Sequence, residues 1–526
     1  MNVRTRSVLV TLALILGLSL AWFAAHYPVL HYGVGEVPIY KMYVGDEQSP
    51  IFGAMHMLES RNPLGLRNLK LVYYPPLFSA IAVPAVSADV AYRFVTENVR
   101  SALDYKTALV LDWTPLLFLT RLIALFFSVL CLYGIWLLFR TETFNPNKNK
   151  WIPNLGLLAI AMNFYFFMYS GFFRHWIFVC ASLVWQMYSL VRINETGKNK
   201  YWYLLLVATI FGLGISFIPV FYQIMLLPFL IVWLRQKDYG ELKQLAYYLV
   251  GLAAAFAILF LWSPYPYIKL LGFSGSSGGE MQILPSLTFY LKVIVMNQVF
   301  LTIGVSICLV GALLHKAWKD IRFWMLGLPM FAHLLFFSAI VHSEPRYIMP
   351  FILLMYLAVI THLITVGVGR KFGIGQIIFA LLIIETLYQG ATIVRWSQLA
   401  WSGPKEFQAI NQIKALPPTS TAIYVEGKIL GAIHDKVSLD GYAAKCTDGS
   451  FDTFKFMQGL DVQTPGLHVD YFCNKKTSSG KPLESYDFVV TPMGEELASN
   501  YFEENLLRLW SAANLRSYFF QAKSTP

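Results

Sequence analysis

Four polar clusters stand out in a chain that is otherwise strongly apolar. Asp46-Glu47 is an adjacent carboxylate pair, and Ser49-Pro50 after it reads as an N-cap with a first-turn proline. Ile51, Ala54, Met55 and Leu58 then recur at helical spacing, which predicts a short amphipathic helix lying on a membrane surface. Arg174-His175 sits in a very short turn between two hydrophobic runs, and His342-Ser343-Glu344-Pro345-Arg346-Tyr347 sits in a second. Lys269 and Lys292 flank a Gly/Ser-rich stretch around Ser274. A carboxylate can accept a proton, and cations edging a flexible loop suit an anionic substrate. Each cluster also has a bland reading. Asp46-Glu47 would be a solvated helix start favoured by the macrodipole. Arg174-His175 would be interfacial anchors, Glu344–Arg346 a structural ion pair, the Gly/Ser stretch between Lys269 and Lys292 a plain flexible linker, and Arg121 an arginine reaching the interface with its stem in lipid.

The elements that must position these groups are membrane-spanning. Hydrophobic residues make up 56% of the 526 and charged residues 13%, with a mean hydropathy of +0.53, outside the soluble range. The net charge of +11 does not point to nucleic acid, because Lys and Arg gather at the ends of apolar runs as topology requires. The five cysteines show no metal-ligand spacing. About eleven runs are long enough to span, from Val8–Ala25 to Ile374–Val394, including Ile152–Ser170, Tyr201–Ile218 and Val293–Leu314. Arg140, Lys148, Arg192, Lys198, Arg235, Lys243, Lys316, Arg322 and Arg370 fall in alternate loops, which places those loops and the N-terminus in the cytoplasm. Every cluster named above then faces outward.

The first outward loop, residues 26–114, is longer than a connector needs to be and is expected to carry its own structure, with Leu77–Val95 re-entrant or interfacial. After Arg395 the sequence turns soluble in character. Residues 395–526 read as a small outward α/β domain, with helices at Pro404–Leu416 and Phe502–Ala513 and strands at Thr421–Glu426 and Tyr486–Thr491. Cys446 and Cys473 lie in it, where a disulfide is permitted. No P-loop, dinucleotide fingerprint, HExxH or nucleophile elbow occurs. Glu385 lies inside the last apolar run with no partner assignable from sequence.

The order of these features resembles the GT-C glycosyltransferases that use polyprenyl-phosphate sugars, in particular the protein mannosyltransferase and aminoarabinose transferase branch. Gly45-Asp46-Glu47 matches an acidic pair after the first span, Tyr74-Pro75-Pro76-Leu77 a step opening the next helix, and Arg121 an arginine starting the second span. His342, Glu344 and Arg346 match a His-Lys-Glu-x-Arg-Phe pattern, with Ser343 for Lys and Tyr347 for Phe. The resemblance implies an all-α GT-C-like catalytic bundle over residues 1–394. It implies transfer of a sugar from a polyprenyl-phosphate donor to a lipid, glycan or protein acceptor. On that reading Asp46 is the base of an inverting displacement and Glu47 orients Asp46 or a cation. Arg346 and Lys269 hold the phosphate, with His342, Glu344, Arg174, His175, Tyr74 and Arg121 around the substrate. Some relatives carry a second acid in the turn where this chain has Arg174-His175, which leaves a divalent metal open, with Asp46 and His175 as the ligands it would use. Two other classes fit the same charges: a transporter or flippase of a lipid-linked sugar, and a non-catalytic assembly subunit.

Overall fold

The computed structural model describes residues 17, 19–31, 45–62, 66, 74–111, 114–149, 151–272, 283–314, 316, 319–339, 345–366 and 373–401, together with the backbone of four short strands. Its helices are α1 (Tyr27–His31), α2 (Gly45–Glu59), α3 (Pro76–Thr96), α4 (Ala102–Leu111) and α5 (Thr114–Leu138). There follow α6 (Trp151–Ala161), α7 (Phe164–Gly171), α8 (His175–Thr196), α9 (Asn199–Leu213) and α10 (Ile218–Gln236, through a 3-10 turn at Tyr222–Met225). Then come α11 (Tyr239–Trp262), α12 (Pro264–Gly272), α13 (Ile283–Asn297), α14 (Val299–Leu314), α15 (Ile321–Ser338), α16 (Met349–Val366) and α17 (Ile374–Trp401).

Eight described helices are long and apolar enough to cross a membrane, or ten units if two bent pairs each count as one span. The chain is a multi-pass, predominantly helical membrane protein. The expected count of about eleven differs for local reasons. Most of Val8–Ala25 lies outside the described residues. The run Tyr201–Ile218 forms only the 15 residues of α9, about 22 Å of helix against a hydrocarbon core of roughly 30 Å. Leu77–Val95, expected to be re-entrant or interfacial, is the 21-residue α3, apolar and long enough to span. Helices α8 and α16 form the centre, each with 83% of its apolar window buried, whereas α11 has 17% buried and presents the rest outward.

Two expected single spans are broken. Ile152–Ser170 is α6 and α7, bent by 63°, and Val293–Leu314 belongs to α13 and α14, bent by 108°. Neither break contains proline, so its freed backbone groups must find other partners within the bundle. Asn163 caps α7, accepting the Phe166 N–H at 3.2 Å, while its amide donates to Gln298 Oε1 at 2.9 Å in the second break. Glu385 of α17 accepts the N–H groups of Phe300 and Leu301 at the start of α14. Gln389, one turn on, accepts the Phe164 N–H and donates to both the Asn297 carbonyl and Glu385. The carboxylate without an assignable partner in the sequence is therefore a cap supplied across the bundle.

Beyond Trp401 the described backbone consists of β1 (Ala422–Val425), β2 (Tyr471–Cys473), β3 (Lys476–Thr477) and β4 (Phe488–Val490), in the order β3-β2-β1-β4. The strands expected at Thr421–Glu426 and Tyr486–Thr491 are β1 and β4, parallel neighbours with Ala422 opposite Phe488. The helices expected at Pro404–Leu416 and Phe502–Ala513, and the pairing of Cys446 with Cys473, lie outside the described residues.

Gln389→Leu removes three hydrogen bonds, two of them across the bundle, while conserving side-chain bulk. Its unfolding free energy in mixed detergent is expected to fall by about 1–3 kcal/mol, against a change within about 0.5 kcal/mol for Thr392→Val on the same helix. Equal stability of the two variants would show that the network does not hold the breaks.

Candidate functional site

Helix α2 starts at Gly45, four residues earlier than the Ser49-Pro50 signal suggested, so Asp46 and Glu47 are in its first turn and Pro50 is inside it. It is not a surface helix. Glu47, Ser49, Pro50, Ile51, Phe52, Ala54, Met55 and Met57 are buried, and among its described side chains only the last two, Leu58 and Glu59, are exposed.

The reason is a buried ion pair. The Glu47 carboxylate meets Arg121 of α5 in two near-parallel bonds, Nε to Oε1 at 3.3 Å and Nη2 to Oε2 at 3.1 Å, with both side chains fully enclosed. Arg121 Nη1 also donates to the carbonyls of Val29 and Leu30 in α1, at 3.3 and 3.0 Å, and its guanidinium lies 5.1 Å from the Phe172 ring centroid. Glu47 Oε1 accepts the Phe173 N–H as well. The fork geometry suits a guanidinium and not an ammonium. Arg121 thus does not reach out to an interface; its charge is matched where it stands. Glu47 is thus paired with the guanidinium of Arg121.

This pair sets residue 46 beside the turn between α7 and α8. Arg174 is the N-cap residue of α8, half-buried, and His175 opens the helix. The His175 ring lies between two aromatics, 4.9 Å from the Tyr74 centroid and 4.1 Å from that of Trp176. Tyr74 is held edge-on to Phe78, at 5.4 Å, by the Pro75-Pro76 start of α3. That start is fixed in turn by close approach to Gly214. The Phe78 N–H donates to its carbonyl at 3.2 Å, and a Cβ there would stand 2.6 Å from that of Leu77.

On the other side Trp176 lies 5.2 Å from Tyr347, and the Arg346 guanidinium is 5.8 Å from the same tyrosine ring. Tyr347 and Arg346 belong to the 3-10 turn Pro345–Ile348 that leads into α16. His333 of α15 anchors this turn, its Nε2 donating to the Tyr347 carbonyl at 2.6 Å and its Nδ1 accepting from the Tyr222 hydroxyl at 3.0 Å. A carbonyl can only accept, so the neutral imidazole must carry its hydrogen on Nε2.

The structure therefore brings Tyr74, His175, Trp176 and Tyr347 into one aromatic row, with Arg174 and Arg346 beside it and the start of α2 tied to the same turn. Arg121 and Glu47 are matched to each other beneath the α2 start. The side chains of Asp46 and Lys269, and the whole of His342 and Glu344, lie outside the described residues. Among the described residues no group of three or more His, Cys, Asp or Glu could hold a metal ion. Trp176 and His333 carry parts of this site that the sequence did not single out. Each sits inside an apolar run with no spacing signal, and only the fold shows what it touches.

Fold and site together define a polytopic membrane protein with cationic and aromatic groups gathered at one end of its bundle. No family model matches the chain, and no curated protein matches it. It is similar to two crystal structures of ArnT from Cupriavidus metallidurans. To the one bound to undecaprenyl phosphate it has a TM-score of 0.47 and 12% identity, over 79% of this chain and 82% of that one. To the apo form it has a TM-score of 0.48 and 11% identity, over 80% and 83%. A likeness that slight identifies neither a reaction nor a site residue.

Glu47→Ala leaves a buried guanidinium without its counter-charge and is expected to cost roughly 3–5 kcal/mol of stability. The double variant Glu47→Leu/Arg121→Met removes both charges and is expected to recover most of that loss in thermal unfolding. A double variant as unstable as the single one would mean that packing, not charge, dominates at this place.

Proposed function

We propose that the chain is a membrane glycosyltransferase that moves a sugar from a polyprenyl-phosphate donor to an acceptor hydroxyl at the outer face of the membrane, with inversion. The observation that supports this reading is the row Tyr74–His175–Trp176–Tyr347, with Arg174 and Arg346 the chain neighbours of His175 and Tyr347. The acceptor oxygen attacks the anomeric carbon, the bond from that carbon to the phosphate oxygen breaks, and the electron pair leaves on the phosphate. The acceptor's proton passes to the Asp46 carboxylate. A phosphate already anionic needs little acid help, so the larger need is for cations to hold it, which Arg346 and Arg174 supply, with Lys269 on α12 as a further candidate. Glu47 is then a positioning residue, acting through Arg121 and the Phe173 N–H. His342, Glu344 and Tyr74 complete the donor and acceptor contacts on this reading, and the acceptor is a lipid, glycan or protein.

One observation favours the transport alternative. A pathway for a lipid-linked sugar needs polar groups at depth, and the breaks near Asn163 and Gln298 supply them. Those groups are packed against one another, Asn163, Gln298, Glu385 and Gln389 each being at most 2% exposed, which suits a structural tie better than a route.

With labelled donor and acceptor, Asp46→Asn is expected to lower transfer about 10²- to 10⁴-fold with unchanged melting, and Arg346→Ala to weaken donor binding. Wild-type turnover by folded Asp46→Asn removes the base. Movement of donor between leaflets without any glycoside product replaces the enzyme reading by transport.

A further inference from the structure

Helices α2, α3 and α4 enclose a cavity of about 300 Å³, at the lower end of small-ligand pockets. Its inner wall is Met55, Val86, Val99 and Tyr105, all buried. Its rim carries Leu58, Val90 and Phe94, all exposed. The polar groups of the wall are already engaged. The Tyr105 hydroxyl donates to Asp89 at 2.9 Å, Ser101 Oγ accepts the Asp104 N–H at 3.1 Å, and Lys106 pairs with Glu59 at 2.9 Å. Arg100 is different. Its Nε donates to Asn98 Oδ1 at 2.7 Å and its guanidinium lies 4.4 Å from the Phe94 centroid. Among the described residues no side-chain hydrogen bond is made by its two terminal nitrogens.

We propose that this cavity takes one acyl chain of an anionic phospholipid from the surrounding bilayer, with the lipid phosphate on Arg100. A peptide occupant would need partners for its own N–H and C=O groups, and the wall offers none. An aliphatic chain needs none. The mouth opens beside Val90 and Phe94, exposed apolar residues of α3, a helix long and apolar enough to cross a membrane. Lys106 is paired with Glu59, and Asp104 accepts the Arg100 backbone N–H, so the terminal nitrogens of Arg100 are what the rim offers an anionic headgroup. The site is separate from the row at Tyr74–Tyr347, and the inference does not rest on the sugar-transfer reading.

The test uses the full chain in nanodiscs containing phosphatidylglycerol or phosphatidylcholine with a photoreactive group near one chain end. Wild-type protein is expected to cross-link within residues 86–106, more strongly with phosphatidylglycerol. Val90→Trp, which fills the cavity, is expected to lower that labelling about tenfold with unchanged melting, and Arg100→Ala to abolish the headgroup preference. Labelling only elsewhere, equal capture of both lipids by wild type, or wild-type labelling of folded Val90→Trp would each overturn the proposal. If Val90→Trp does not fold, the wild-type cross-link map decides alone. Excess undecaprenyl phosphate is expected to leave labelling unchanged; displacement would make the cavity part of a donor site and overturn it. Asp46→Asn is expected to label like wild type, which keeps this outcome distinct from that of the transfer reaction.

Discussion

The arrangement at the end of the bundle depends on one charge pair that water never reaches. Moving Glu47 and Arg121 out of water is costly for each ion, and only close, forked geometry with further hydrogen bonds offsets it. Both conditions hold. Arg121 gives its remaining reach to two carbonyls of α1, and Glu47 accepts a backbone N–H from the α7–α8 turn. Four segments distant in sequence therefore meet at two side chains. Because a buried charge cannot tolerate a displaced partner, the pair specifies where α2 begins relative to α5 more sharply than apolar contacts would.

A second constraint acts deeper in the bundle. Backbone groups freed by a break in a helix have no water to turn to in hydrocarbon, so each break must be answered by a side chain. The chain answers two breaks with one set of residues. Glu385 and Gln389 of α17 serve the starts of α14 and α7, and Asn163 bridges to Gln298. The two bends are thus coupled, and neither can straighten without leaving a carboxylate or an amide unmatched.

The sequence revealed different layers of this unevenly. Hydropathy showed the bundle, and the patterns at Thr421–Glu426 and Tyr486–Thr491 marked two strands that pair. The clusters Arg174-His175 and Arg346 were visible as charge beside hydrocarbon, and the fold sets both against the same aromatic row. Three things were hidden. The Glu47–Arg121 pair joins residues 74 apart, and nothing local indicates it. Asn163 and Gln298 carry no signal of their own inside apolar runs, because a break is a property of the partners that tolerate it. The helix at α2 read as a surface element because its apolar spacing cannot reveal what covers the opposite face. His333 shows the same gap, since one buried imidazole inside an apolar run carries no sign of the turn it holds.

Pro50 has a mechanical consequence. In α2 the N–H of residue 50 would close the helical ladder onto the Asp46 carbonyl, and proline has no N–H to give. The turn that bears Asp46 therefore has one ladder bond fewer to the rest of α2, while the Glu47 carboxylate ties that turn to α5 through Arg121. The start of α2 is thus held by the helix across from it as well as by the helix it belongs to.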